Sequence, residues 1–260
     1  MSADRIELSF EADIARVVLS RPEAANAIDL TFAIEFEAVA KRIQASRARV
    51  VVVAAQGNQF CVGGDLKSFV QQDDMAVHLE EVTVHLHEGL ATLKELDAPL
   101  VLEVNGAVAG AGLGLVCAAD IVIAGESSTY LMAYTRVGLS PDGSSSWFLA
   151  RHIGLHRALE LSLTNRVLTA REALEWGLVT RVVDDTEVSE EVESLVAALA
   201  EGPTRAFGAT KRLLYSAFED SLRDHMVAES ASIASLAGTK DGIEGVASFV
   251  ERRDARFMGN

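Results

Sequence analysis

The chain has 260 residues, enough for one large core with a small terminal extension. About half of them are hydrophobic (49%), 23% are charged and only 4 are proline, which excludes a disordered, collagen-like or low-complexity protein. A formal charge of −15 repels nucleic acid and anionic membrane over the whole surface, so any anionic ligand needs a local basic site.

Residues 1–10 hold Asp4 and Glu7 and no apolar core, so no signal peptide is expected. Ile6–Phe10 and Ala15–Leu19 alternate as strands about the turn-like Glu11–Asp13, and Arg21–Pro22 ends that hairpin. Asp29 is placed to cap a helix with Phe32, Phe36, Val39 and Ile43 on one face. Val50–Ala55 is a continuous apolar run, the pattern of a strand buried on both faces, and the small-residue loop Gln56–Gly64 follows it. A helix through His85, Leu86, Leu90 and Leu93 leads to Pro99, which opens the strand Leu100–Val104. Then come the glycine-rich Asn105–Gly114 and a strand at Ile121–Ala124. Glu103, Asn105 and Asp120 break the apolar stretch Leu100–Ala124, so it is no membrane span. From Ser144 helices dominate: Trp147–His152, His156–Leu163, Ala170–Trp176, Val188–Leu199, Pro203–Phe218 and Leu222–Leu236. A last helix is expected over Asp241–Phe257, with Val246, Phe249, Val250 and Phe257 on one side. Buried strands alternating with helices predict an α/β protein with an attached helical lobe, divided as residues 1–200 and 201–260. A soluble, cytoplasmic enzyme or binding protein is the expectation.

Cys61 and Cys117 are too few for a disulfide framework or a four-thiolate metal cluster. The histidines are scattered, and His85 and His87, two apart, point to different helix faces, so no metal site is expected. Cys61 reads as a packed apolar thiol. Phe60–Leu66 follows a buried strand, and its Gly63–Gly64 permit positive φ or close approach of a ligand to the main chain; the plainer reading is a tight turn with Asp65 capping the next helix. Val104–Leu115 also follows a buried strand and opens a helix, whose free N–H groups suit an oxyanion. A dinucleotide site is not expected, because Leu115 stands where the third glycine of that motif is needed. Side by side, the two turns would offer one N–H each to a single carbonyl oxygen, an oxyanion-hole arrangement.

Arg21-Pro22-x-x-x-Asn26-Ala27, Phe60-x-x-Gly63-Gly64-Asp65-Leu66, Val104-Asn105-Gly106 through Gly112, and Ala119-Asp120-Ile121 stand in order along the chain. So do Gly138-Leu139-x-Pro141-Asp142, Thr169-Ala170-x-Glu172-Ala173-x-x-x-Gly177-Leu178-Val179 and Phe249-x-x-x-Arg253-x-x-x-Phe257. With these motifs the chain resembles the crotonase superfamily, the enoyl-CoA hydratases and isomerases, over almost its whole length. The resemblance implies a superhelix of ββα turns with a C-terminal helical lobe that serves trimerisation and lids the CoA site. It further implies a homotrimer or pair of trimers, an acyl-CoA thioester as substrate, and no tightly bound cofactor. The thioester oxygen would lie between the N–H groups of Gly64 and Ala111. Glu23–Ala25 and Gly63, Asp65 and Leu66 would line the CoA, with Arg21, Lys67 and Arg252 or Arg253 as candidates for its phosphates.

The chain departs from the hydratase pattern at both expected glutamates. The first falls at Gly114 and the second at Tyr134, so hydration by the usual route has no carboxylate. Asp142 instead matches the aspartate of family members that shift double bonds, including the phenylacetate-pathway isomerase. One carboxylate serves that chemistry, and an apolar surround of Leu139, Trp147 and Phe148 would raise its pKa. Read without the family, Asp142 is a helix N-cap in Pro-Asp-Gly-Ser turn chemistry. Tyr134 either donates a hydrogen bond to substrate or fills the missing glutamate's volume. The alternatives are a non-catalytic acyl-CoA binder, a hydratase with unconventional residues, and a thioester hydrolase or dehalogenase using Asp142 as nucleophile.

Overall fold

The computed structural model describes residues 4–260. Strands β1 (Ile6–Glu11) and β2 (Ile14–Leu19) pair antiparallel, Ile6 opposite Leu19. From β2 the sheet grows in parallel through β3 (Val50–Ala55), β4 (Leu100–Val104), β6 (Ile121–Gly125) and β9 (Arg181–Val183), in the spatial order β1-β2-β3-β4-β6-β9. Parallel neighbours need crossovers, and helices supply them: α1 (Leu30–Gln44) before β3, and α2 (Leu66–Phe69) with α3 (Met75–Glu95) before β4. The run of valines in β3 is explained by its two faces. Val51 and Val53 enter the main core with Phe32, Phe36 and Leu86, while Val50 and Val52 meet Val192 and Val196 of α8 (Val188–Ala200).

Asp29 caps α1 as the sequence predicts, accepting from Phe32 N at 2.8 Å. Helices α1 and α3 cross closely because Gly89 leaves room: a Cβ there would lie 2.5 Å from the Phe36 ring. A second sheet, unexpected from the sequence, joins β5 (Ala107–Ala109), β7 (Thr129–Leu131) and β8 (Leu168–Thr169). Its strands are two or three residues long, too short for alternation to register. Around it lie α4 (Ala111–Ala118), α5 (Ser145–Ile153), α6 (Leu155–Thr164) and α7 (Ala170–Trp176).

The C-terminal helices α9 (Thr204–Ser216), α10 (Leu222–Ala237) and α11 (Lys240–Glu251) follow one another in contact. The last helix stops at Glu251, short of the expected Phe257, because Arg252 turns the chain at φ +57. Buried Asp241 then captures the tail, accepting from Met258 N at 2.7 Å and Gly259 N at 2.8 Å. Arg49 adds bonds to Gly202 O and Phe257 O. Val246, Phe249 and Val250 face solvent. Among the described residues no helix is long and apolar enough to cross a membrane.

Candidate active site

The site starts at two turns. After β3 the chain passes along β5, with Ala109 N donating to Cys61 O at 2.9 Å, and this pairing brings Gly63 against the start of α4. A Cβ on Gly63 would lie 2.9 Å from Ala109 O and 3.2 Å from Ala111 N, and its φ of +87 is one that side chains resist. On the other side, Ile28 N donates to Gly63 O and Asp65 N to Ile28 O. That pairing uses the groups flanking Gly64 and turns its own N–H away from Ile28. Neither the Gly64 N–H nor the Ala111 N–H has an acceptor among the described residues. Both residues line one cavity of about 350 Å³. Its other walls are mostly apolar, with Leu66 and Phe69 of α2 and Leu79, Val82 and Leu86 of α3 among them.

On the same cavity wall stand Tyr134, Leu139 and Asp142. A one-turn 3-10 helix, Tyr134–Val137, is entered through Ala133 at φ +61 and left through Gly138 at φ +73. Gly143 and Ser144 also have positive φ, +58 and +60. Ala133 and Ser144 are strained non-glycine residues, costing about 1–3 kcal/mol each, and such strain clusters at functional sites. The Tyr134 hydroxyl donates to Asp142 Oδ1 and lies 3.3 Å from the Asp142 carbonyl oxygen. Burial, then the Asp142 charge, push the Tyr134 phenol well above the ordinary tyrosine range, so it stays a donor. Asp142 Oδ2 has no donor among the described residues.

The helix-cap reading of Asp142 is corrected. Ser144 occupies the N-cap of α5, and no side chain caps it. It is the Asp142 main-chain carbonyl that accepts, from Ser145 N at 3.1 Å and Ser145 Oγ at 2.7 Å. The carboxylate is thereby left for the cavity. Trp147 and Phe148 do not surround it: Trp147 packs under the Arg151 guanidinium at 3.6 Å and against Phe148, whose ring meets Tyr215 of α9. Helix α5 turns that face toward the C-terminal helices, away from the cavity. The Tyr134 ring lines the cavity where the second hydratase glutamate would fall, and its hydroxyl is engaged by Asp142.

Gly114, where a hydratase-type glutamate would fall, faces the backbone of Gly143. A Cβ there would lie 2.3 Å from Gly143 O, so the position is closed to any side chain. Gly114→Ala is expected to push the Asp142–Gly143 turn aside, costing about 1–3 kcal/mol of stability. A melting curve alongside an acyl-CoA binding titration would check this; an unchanged melting temperature would contradict the contact.

The remaining candidates are dispersed. Glu23 and Ala25 sit at the 3-10 turn Pro22–Ala24 and do not line the cavity. Asp65 caps α2 by accepting from Ser68 N. Burial alone would raise its pKa, but the Ser68 N–H and the Arg21 guanidinium outweigh that and lower it. Arg21 bridges Asp65 at 2.9 Å and Asp29 at 3.1 Å, so its charge is committed to tying loops together and it is a poor phosphate ligand. Arg253 is held by Glu244 and Glu251. Lys67 and Arg252 are exposed. Burial pushes the Cys61 thiol up to about 12, which makes it an inert packed group. Two residues have roles that the sequence reading did not give them. Asn26, fully buried, donates to Gln56 O and Gln59 O and accepts from Arg21 N, fixing the loop that leads to Gly63. His87 Nε2 accepts from Gly143 N at 3.0 Å, a long-range contact that no local pattern signals.

The family model for enoyl-CoA hydratase/isomerase matches residues 9–260. The chain belongs to that family. A Rhodobacter capsulatus relative, whose name places it among enoyl-CoA hydratases, is 33% identical over 100% of both chains. The 1,2-epoxyphenylacetyl-CoA isomerase of Escherichia coli is 32% identical over 96% of each. The crystal structure of an enoyl-CoA hydratase/isomerase family protein from Mycobacterium abscessus aligns with a TM-score of 0.94 at 36% identity, covering 98% of this chain and 100% of that one. The ββα crotonase fold and the acyl-CoA chemistry class of this family member follow.

Proposed function

We propose that this enoyl-CoA hydratase/isomerase family member moves a carbon–carbon double bond within an enoyl-CoA thioester, with Asp142 as its single acid and base. One observation carries the reading: a carboxylate oxygen and two N–H groups, each without a partner among the described residues, share a cavity, while both hydratase glutamate positions lack a carboxylate. Asp142 Oδ2 takes a proton from C2 of a 3-enoyl thioester; the C2–H electron pair becomes the C1–C2 double bond of a dienolate, and the carbonyl pair moves onto the thioester oxygen between Gly64 N–H and Ala111 N–H. The same carboxyl returns the proton to C4: the carbonyl re-forms, the C1–C2 pair becomes the 2,3 double bond, and the old 3,4 pair forms the new C4–H bond. Tyr134 holds Oδ1 throughout, so one oxygen is fixed and the other reacts. The transfer is internal and needs no cofactor beyond the CoA carried by the substrate, with Lys67 and Arg252 as candidate contacts for its phosphates. The name of the Escherichia coli relative agrees with isomerisation; that of the Rhodobacter capsulatus relative points to hydration. A homotrimer or pair of trimers would cover the exposed Leu222 and Val227 of α10 and Phe249 and Val250 of α11.

The test is a 3-enoyl-CoA incubated with the protein in D₂O and followed by mass spectrometry. Conversion to the 2-enoyl isomer with deuterium uptake is expected. Binding without conversion or exchange would instead favour a non-catalytic binder, 3-hydroxyacyl-CoA a hydratase, and free CoA a hydrolase.

A further inference from the structure

One side chain of α3 grips the Asp142 loop from outside the cavity. An amide nitrogen can only donate, so in the 3.0 Å contact between Gly143 N and His87 Nε2 the ring nitrogen accepts. Nε2 is therefore unprotonated and the ring proton lies on Nδ1. The peptide unit joining Asp142 to Gly143 is held at both ends: its carbonyl oxygen by Ser145 N and Oγ, its N–H by His87. Rotation of that unit would carry Asp142 off the Tyr134 hydroxyl, which contacts both the carboxylate and the carbonyl of this one residue. Gly143, at φ +58 and with its carbonyl against Gly114, supplies no side chain to resist the rotation.

We propose that neutral His87 is a positioning residue that locks the Asp142–Gly143 peptide, and that its protonation releases the lock. An imidazolium carries two donors and no acceptor, so the Gly143 N–H would then face a second donor. His87 is exposed. Titratable groups near His87 along α3 include His85 and Glu88; those on helices in contact with α3 include Glu37 and Lys41 on α1, Lys67 on α2 and buried Cys117 on α4, and Asp142 and Tyr134 belong to the loop it grips. Of these, Glu37 is engaged with both Lys41 and His85. The lock matters to catalysis through the reading of Asp142 as base, so its test needs a readout that does not depend on turnover.

Hydrogen–deuterium exchange over residues 139–148, normalised to intrinsic rates, provides it for wild type, His87→Gln and His87→Leu. Glutamine keeps a neutral acceptor that does not titrate, and leucine removes the acceptor. At about pH 8, wild type and His87→Gln are expected to protect the segment equally, with His87→Leu exchanging about 3- to 10-fold faster, the loss of one hydrogen bond. At about pH 5.5, within the range where imidazoles take up a proton, wild type falls to the His87→Leu level and His87→Gln does not. Turnover of 3-enoyl-CoA by His87→Leu should fall by the same factor in kcat with KM little changed. The proposal is overturned if wild type and His87→Gln share one pH dependence, or if His87→Leu protects as well as wild type. If the exchange behaves as expected and no variant isomerises substrate, the lock stands and the Asp142 reading fails.

Discussion

Asp142→Asn is expected to lower the rate of 3-enoyl-CoA isomerisation by about 10²–10⁴-fold, the usual contribution of a positioned acid/base. Asparagine matches aspartate in shape, and its amide oxygen can still accept from the Tyr134 hydroxyl, so the loop should keep its place. What is lost is the reactive oxygen, replaced by an NH₂ group that neither accepts a proton from C2 nor delivers one to C4. Substrate affinity should stay within a factor of about 3, because burial of the acyl chain against Phe69, Leu79 and Val82 is untouched. The separation of kcat from binding is the informative part, since an interaction used only in the transition state leaves ground-state binding alone. Single-turnover rates with 3-enoyl-CoA and a calorimetric titration with the 2-enoyl product would measure the two quantities. Retention of more than a tenth of the wild-type rate would remove Asp142 from the base role. A parallel fall in affinity would make it a binding residue.

The central sheet was legible because its strands are buried on both faces: Val50–Ala55 and Leu100–Val104 show as unbroken apolar runs, and Asp29 marks the helix before the first of them. The strands β7, β8 and β9 were not, being two or three residues long and stabilised by partners far away in sequence. At the site, the glycine turns and Asp142 stood out through residue type and order. Their surroundings did not. Whether Asp142 caps α5 or faces the cavity depends on Tyr134, eight residues earlier, and on Ser145 taking the main-chain carbonyl. Trp147 and Phe148 lie close to Asp142 in sequence, yet α5 carries them toward Tyr215, 67 or 68 positions further on. Arg21 looked free because Asp65, 44 residues away, cannot be paired with it from the chain alone. His87 was set aside as half of a poor metal pair, and only the fold brings Gly143 to it.

The largest loss of stability is expected from Asp120→Ala, at the junction between the core and α9. Asp120 Oδ1 lies 3.0 Å from Lys94 Nζ on α3, and Oδ2 lies 2.7 Å from Lys211 Nζ on α9. Oδ2 also accepts from Leu100 N at 2.8 Å, fixing the start of β4. Lys94 sits over the Tyr215 ring at 3.6 Å and bonds the Tyr215 hydroxyl and Ala118 O, while Lys211 bonds Leu96 O and Ala98 O. One carboxylate therefore balances two largely buried ammonium groups that join a core helix to a C-terminal one. Its removal leaves both uncompensated, at a cost of about 3–5 kcal/mol. For a chain of this size that lowers the melting temperature by about 6–20 °C. Burial already pulls the Lys94 pKa down, with Asp120 acting against it. Without Asp120 it falls further below its unfolded value, so the unfolded chain binds more protons than the folded one and stability rises with pH. The deficit of Asp120→Ala against wild type should accordingly shrink as pH rises from about 7 to about 10. Urea unfolding of both proteins across that range measures it. A deficit under about 1 kcal/mol at neutral pH, or one that grows with pH, would show that the two lysines do not depend on Asp120 for their burial.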